Sequence, residues 1–161
     1  MAINAFLKID GFDGEATLQE FEGQIEVIAH HFLVQRKIGN MSDSRDATGR
    51  PTFSPFTITK FMDKSSTMLI KACLNNQTMS EIVLTITKTG DDGAPIKYLT
   101  YTLYDVTVVS FEPLDDIDSE VLKETITFSF SNFSMNYIPD TFGSAQGNIE
   151  ASYDLKAGKV S

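Results

Sequence analysis

Apolar residues recur along this chain at every second position. That period belongs to a β-strand, whose successive side chains point to opposite faces of a sheet. Ile3, Ala5, Leu7 and Ile9 fall on one side, with Asn4, Phe6 and Lys8 on the other. The pattern returns at residues 24–29, with possible extension to Arg36, and at residues 56–61. Ile82, Leu84 and Ile86 alternate with Val83, Thr85 and Thr87, and Ile149, Ala151, Tyr153 and Leu155 alternate with polar neighbours. Gly90-Asp91-Asp92-Gly93 reads as a hairpin turn, because Asp and Gly tolerate positive φ. Residues 97–111 (KYLTYTLYDVTVVSF) form a long run of β-branched and aromatic residues. Within residues 125–138, Ile126, Phe128 and Phe130 share one parity while Phe133, Met135 and Tyr137 share the other. That phase slip predicts a β-bulge, of the kind that bends strands at barrel corners.

Two segments break the strand pattern. After Asp63 the period lengthens, and Asp63 or Ser66 can cap a short helix carrying Met68, Leu69, Ala72 and Cys73 on one side. Asn75-Asn76 is a plausible stop for it. Residues 39–51 (GNMSDSRDATGRP) are polar and turn-rich, which predicts a long extended loop. The expected fold is mainly β: an antiparallel β-barrel, seven or more strands, one short flanking α-helix and that loop, in a single domain over residues 1–161. Closure into a barrel removes exposed strand edges. The run 97–111 is apolar on both parities, with Tyr98, Tyr104, Val106 and Val108 against Leu99, Leu103, Val109 and Phe111. One of those faces could pack under the helix or be buried between subunits.

The net charge is −9, which argues against nucleic acid or an anionic membrane surface as partner, since phosphate calls for clustered Lys and Arg. The lone cysteine, Cys73, permits no intramolecular disulfide and is read as a small buried apolar group. The first ten residues show neither a basic stretch nor an apolar core of a secretory signal. No apolar run approaches the roughly 20 residues of a membrane-spanning helix, so membrane insertion is not expected.

Motifs for chemistry are sparse. His30 and His31 are adjacent and, in a strand, face opposite ways, so they cannot jointly chelate a metal. With one further candidate ligand, Cys73, no zinc site is expected, and no cofactor motif is present. The run Asp115-Asp116-Ile117-Asp118-Ser119-Glu120 opens like a calcium loop but lacks its glycine and its terminal glutamate. Asp13 and Glu15 beside Gly14 are more simply a turn than a paired-carboxylate site. The chain is not expected to be an enzyme.

Three stretches carry a resemblance. They are Phe6-Leu7-Lys8-Ile9-Asp10-Gly11-Phe12-Asp13-Gly14-Glu15-Ala16 with Ile25-Glu26-Val27-Ile28-Ala29; residues 56–73, with Thr59-Lys60, Asp63-Lys64-Ser65-Ser66 and Leu69-Ile70-Lys71-Ala72-Cys73; and Lys97-Tyr98-Leu99 running into Leu103 and Val106-Thr107-Val108-Val109-Ser110. In this order and spacing the chain resembles the Hcp family, the haemolysin-coregulated tube proteins of type VI secretion. The resemblance implies a β-barrel protomer in hexameric rings that stack into a hollow tube. It also implies spike, sheath and effector proteins as partners, and passage from the cytoplasm to the exterior without a signal peptide. Relatives often carry Trp near the second strand; this chain has no Trp and places His30 and His31 there.

From that frame three sets of residues are singled out. His31 is the candidate for the lumen, with an ordinary exposed histidine as the plainer reading. Val108 and Val109 are the candidates for the subunit interface, one parity facing the core and the other a neighbour. Met41, Asp43, Arg45, Asp46 and Arg50 are the candidates for ring stacking through the 39–51 loop. The competing functions are a monomeric ligand-binding β-barrel and a phage-derived tail tube protein.

Overall fold

A computed structural model of the chain describes residues 3–37, 49–114, 120–139 and 149–161. In chain order these form β1 (Ile3–Ile9), β2 (Ile25–Val27), β3 (Ala29–His31), β4 (Val34–Gln35), β5 (Thr52–Phe53) and β6 (Phe56–Phe61). Then come α1 (Ser66–Leu74), β7 (Thr78–Thr89), β8 (Pro95–Leu114), β9 (Lys123–Ser129), β10 (Asn132–Tyr137), β11 (Ile149–Asp154) and β12 (Lys159–Val160). All ladders are antiparallel.

The expected mainly β, antiparallel fold is present, but the ladders do not close the barrel, which stays open between β2 and β3. From β8 the ladders pass through β7 and β1 to β2; from β3 they pass through β6 and β9 back to β8. The chain itself makes the step from β2 to β3, at Ile28, whose N–H donates to Thr59 O at 2.7 Å. β10, β11 and β12 continue the sheet from the first half of β8, with Phe133 in the core cluster and Tyr153 buried against Phe53. Inward residues of every layer meet in one apolar cluster, with Ile25, Phe56, Ile58, Val106, Ile126 and Phe128 fully buried. Fully burying a side chain of this size contributes about 1.5–3 kcal/mol, so the inward alternation sets the register.

The outer side of β1 is covered as well. Phe6 stacks on Phe21 with ring centroids 4.5 Å apart, in a small cluster with Ala16. Gly14 permits this return of the chain: a Cβ there would lie 2.3 Å from Gln24 O. The hairpin expected at residues 90–93 joins β7 to β8, with Gly93 at φ 81°.

Three expectations are corrected. The phase slip near Phe130 is not a bulge within one strand. β9 ends at Ser129, and Ser131 N–H donates to Tyr104 O at 3.0 Å as the chain crosses to a different part of β8. β8 explains the crossing, because residues 99–104 pair with β10 and residues 107–114 pair with β9. Within the protomer the two-faced look of β8 likewise comes from changes of phase along one strand. Tyr101 and Leu103 point inward, the parity flips at Asp105 (φ 50°), and Val106 and Val108 point inward next. A register shift between Val108 and Ser110 then makes Val109 the extra residue of a bulge. Finally, the helix buries Leu69 and Ala72, but Met68 remains exposed and Cys73 is only half-buried.

Candidate functional site

A buried polar knot holds α1 against the barrel. Lys60 and Glu124 are cross-strand partners on the inward face of β6 and β9, and both side chains are completely buried. Lys60 Nζ donates to Glu124 Oε1 (2.5 Å), Phe61 O (2.8 Å) and Ser66 Oγ (3.2 Å), and lies 2.9 Å from Asp63 Oδ1. Ser66 Oγ also donates to Glu124 Oε1 at 2.5 Å and accepts the Asp63 N–H at 3.0 Å. No side chain caps the helix; Asp63 instead accepts the Ser65 N–H at 2.9 Å and its hydroxyl. The start of α1 is thereby tied to the end of β8, because Glu124 also faces Pro113 across the β8–β9 ladder.

Outward from β3, β6, β9 and the second half of β8 lies a hydroxyl-rich face. Thr57 and Thr127 hydroxyls lie 3.4 Å apart, Thr59 and Thr125 3.5 Å, and Thr107 and Ser129 2.6 Å. They point outward because the residues between them, Phe56, Ile58, Ile126 and Phe128, are the core. Charges enter this face towards one end, at Glu112 and Lys123. His31 pairs with Thr57 in the β3–β6 ladder, is exposed and belongs to the same face.

The neighbouring His30 points the other way. It stacks on Phe56 (centroids 6.0 Å) and packs on Tyr101 (5.4 Å) within the aromatic cluster. Burial and, to a lesser degree, the nearby His31 hold its pKa below the ordinary 6.5. Burial, and then Tyr98, pushes the Tyr101 hydroxyl up.

The remaining predicted residues separate. Val108 is 4% exposed and sits in the core of the protomer, whereas Val109 on the bulge is 50% exposed. Arg50 is exposed and lies over Gly158, where a Cβ would come 2.8 Å from its Cζ. Met41, Asp43, Arg45 and Asp46 lie outside the described residues, as does the acidic run up to Ser119. Among the described residues, no group of three or more His, Cys, Asp or Glu is placed to hold a metal ion. None of their helices is long and apolar enough to cross a membrane. Sequence reasoning missed both the polar knot and the hydroxyl face. The alternating Thr57, Thr59, Thr125, Thr127 and Ser129 was a usable signal for the face; the knot joins residues 64 apart and has none.

A family model described as type VI secretion system effector, Hcp, matches residues 6–137, most of the chain. The chain belongs to the Hcp family. The protein hcp1 of Pseudomonas aeruginosa is 26% identical over 153 residues, which cover 95% of this chain and 94% of that one. A crystal structure of Hcp1 from Salmonella typhimurium is 30% identical and superposes with a TM-score of 0.78, covering 99% of both chains. A structure titled as a type six secretion system protein reaches a TM-score of 0.88 at 26% identity, covering 99% of this chain and 100% of that one. As an Hcp protein the chain is a structural subunit of type VI secretion, in the family that builds its tube. The comparisons favour neither a monomeric ligand-binding barrel nor a phage tail tube. They bring no catalytic family with them.

Proposed function

We propose that this Hcp protomer forms hexameric rings that stack into a secreted tube, with the hydroxyl face of β3, β6, β9 and β8 turned to the lumen. The observation that carries this reading is the four-strand sheet itself. Among the described residues, β3 is paired only with β6, and β8 beyond Thr107 only with β9, so the sheet ends in an unpaired edge on each side. Edges of this kind invite pairing with another chain. A different edge at each end gives a head-to-tail contact, which closes into a ring when the rotation permits. Apart from Glu112 and Lys123 towards one end, this wall of neutral hydroxyls presents hydrogen-bonding groups to a passing protein without fixing it by charge.

In this reading His31 lies on the lumen wall and Val109 stands at the ring contact. Met41, Asp43, Arg45, Asp46 and Arg50 belong to the loop that meets the next ring. Residues 1–161 form one domain with a structural, non-catalytic role. It leaves the cytoplasm through the type VI apparatus, with spike, sheath and effector proteins as partners. Light scattering after size exclusion, with negative-stain microscopy, tests the assembly. Rings several-fold larger than 17.8 kDa are expected, and a monomer at all concentrations would refute the reading. Val109→Lys should lower the assembled mass with the melting temperature of the protomer unchanged.

A further inference from the structure

The two flanks of the barrel differ in shape and charge, and the difference is complementary. One flank is filled by α1. The helix starts at the knot beside Pro113 and ends where Thr78 pairs with Thr107, so it runs alongside the second half of β8. Its inner side buries Leu69 and Ala72. Thr67, Ile70, Lys71 and Leu74 lie three and four apart on the opposite side, and all are exposed, Leu74 at 78%. No residue of α1 is acidic, in a chain with 22 acidic and 13 basic residues, and Lys64 and Lys71 flank the apolar ridge.

The other flank is open. β1 pairs with β2 no further than Ala5 opposite Val27, so the start of β1 and the bend at Ile28 part from one another. Between them lies a groove of ≈ 290 Å³ whose apolar lining includes Ile3, Ala5, Ile28 and Phe61. Ile3 is 66% and Ile28 45% exposed. Glu15, Glu26 and Asp63 border its Phe61 end. Asp63 is engaged by Lys60, and Lys123 Nζ lies 6.0 Å from the Phe61 ring, which leaves Glu15 and Glu26 as the acidic rim.

We infer that the Ile70–Leu74 ridge of α1 in one copy docks into the Ile3–Ile28–Phe61 groove of the next. Lys71 and Lys64 then face the rim of Glu15 and Glu26. The occupant is a second copy of this chain because the ridge, basic and convex, answers the groove, acidic and concave, on the opposite flank of the same protomer. This rests on the ring reading and specifies the contact that makes the ring.

The test uses two full-length variants, Leu74→Glu and Ile28→Glu, with light scattering for mass and circular dichroism for folding. Each should be folded and monomeric. Mixed in equal amounts, they should form a species of two chains and nothing larger. The sound groove of Leu74→Glu can receive the sound ridge of Ile28→Glu, and the second contact is blocked on both partners. Should Ile28→Glu fail to fold, Ile3→Glu replaces it at the most exposed position of the groove. A mixture that stays monomeric, or single variants that keep the wild-type ring mass, would overturn the docking. A monomeric wild type would instead overturn the ring reading, so the two failures are told apart.

Discussion

Lys60 and Glu124 show what a buried charge pair does in a barrel this small. Taking two ions out of water is costly, and their attraction repays the cost only with further hydrogen bonds, which Ser66 and the Phe61 carbonyl supply. Removing one partner strands the other. Lys60→Met should therefore destabilise the protomer by about 3–5 kcal/mol in urea unfolding, and the double change Lys60→Met with Glu124→Leu should recover most of that loss. An additive double variant would show that the knot is not coupled. His30 offers a second test at this scale. Its folded pKa lies below the ordinary 6.5, so the folded state prefers the neutral ring. The sign follows: His30 favours folding above 6.5, and that contribution is lost as pH falls through 6.5 towards the lowered folded value. On acidification from neutral pH the wild-type melting temperature should fall more steeply than that of His30→Phe, which keeps the aromatic contacts. Equal slopes would remove His30 from the acid response.

Among the elements, β8 carries the most information and was the hardest to read. Its single run of alternating apolar residues suggested two buried faces, yet the structure has one face and two changes of phase, at Asp105 and Val109. Period-two reasoning cannot distinguish these, because a phase change moves apolar residues from one parity to the other without adding any. Strands with one phase, such as β1, β7 between Ile82 and Ile86, and β9, were legible directly. The helix was legible in position, while its attachment was not, since Ser66 reads as a cap until Glu124 is brought beside it. Asp105 can be tested. It adopts φ 50°, where Asp is tolerated and a β-branched side chain is not, and its Oδ2 accepts the Ser131 hydroxyl at 2.8 Å. Asp105→Val should cost roughly 1–3 kcal/mol from backbone strain and the lost bond, whereas Asp105→Gly should cost less. If the two variants unfold at the same urea concentration, the phase change at this residue is not held by its backbone conformation.

At the scale of the whole molecule, the acidic chain must assemble against its own charge. In the proposed hexamer, six copies at −9 each would place −54 on a ring, so rings would repel one another at close approach. The two proposed contacts respond differently to salt. Within a ring the ridge and groove are largely apolar, with two lysines against two glutamates. Each exposed pair contributes only about 0–1 kcal/mol, so screening should change the ring mass little. Between rings the dominant long-range term is repulsion, screened over about 8 Å at physiological ionic strength and about 30 Å at 0.01 M. Raising salt from 0.01 M to 0.15 M should therefore leave rings at constant mass by light scattering while stacks lengthen in negative-stain micrographs. Rings that fall apart over this range would mean that charge pairing, and not the apolar ridge, holds the protomers together. Stacks that shorten would mean that attraction between unlike charges governs the ring-to-ring contact, with the exposed Arg50 as the first residue to neutralise.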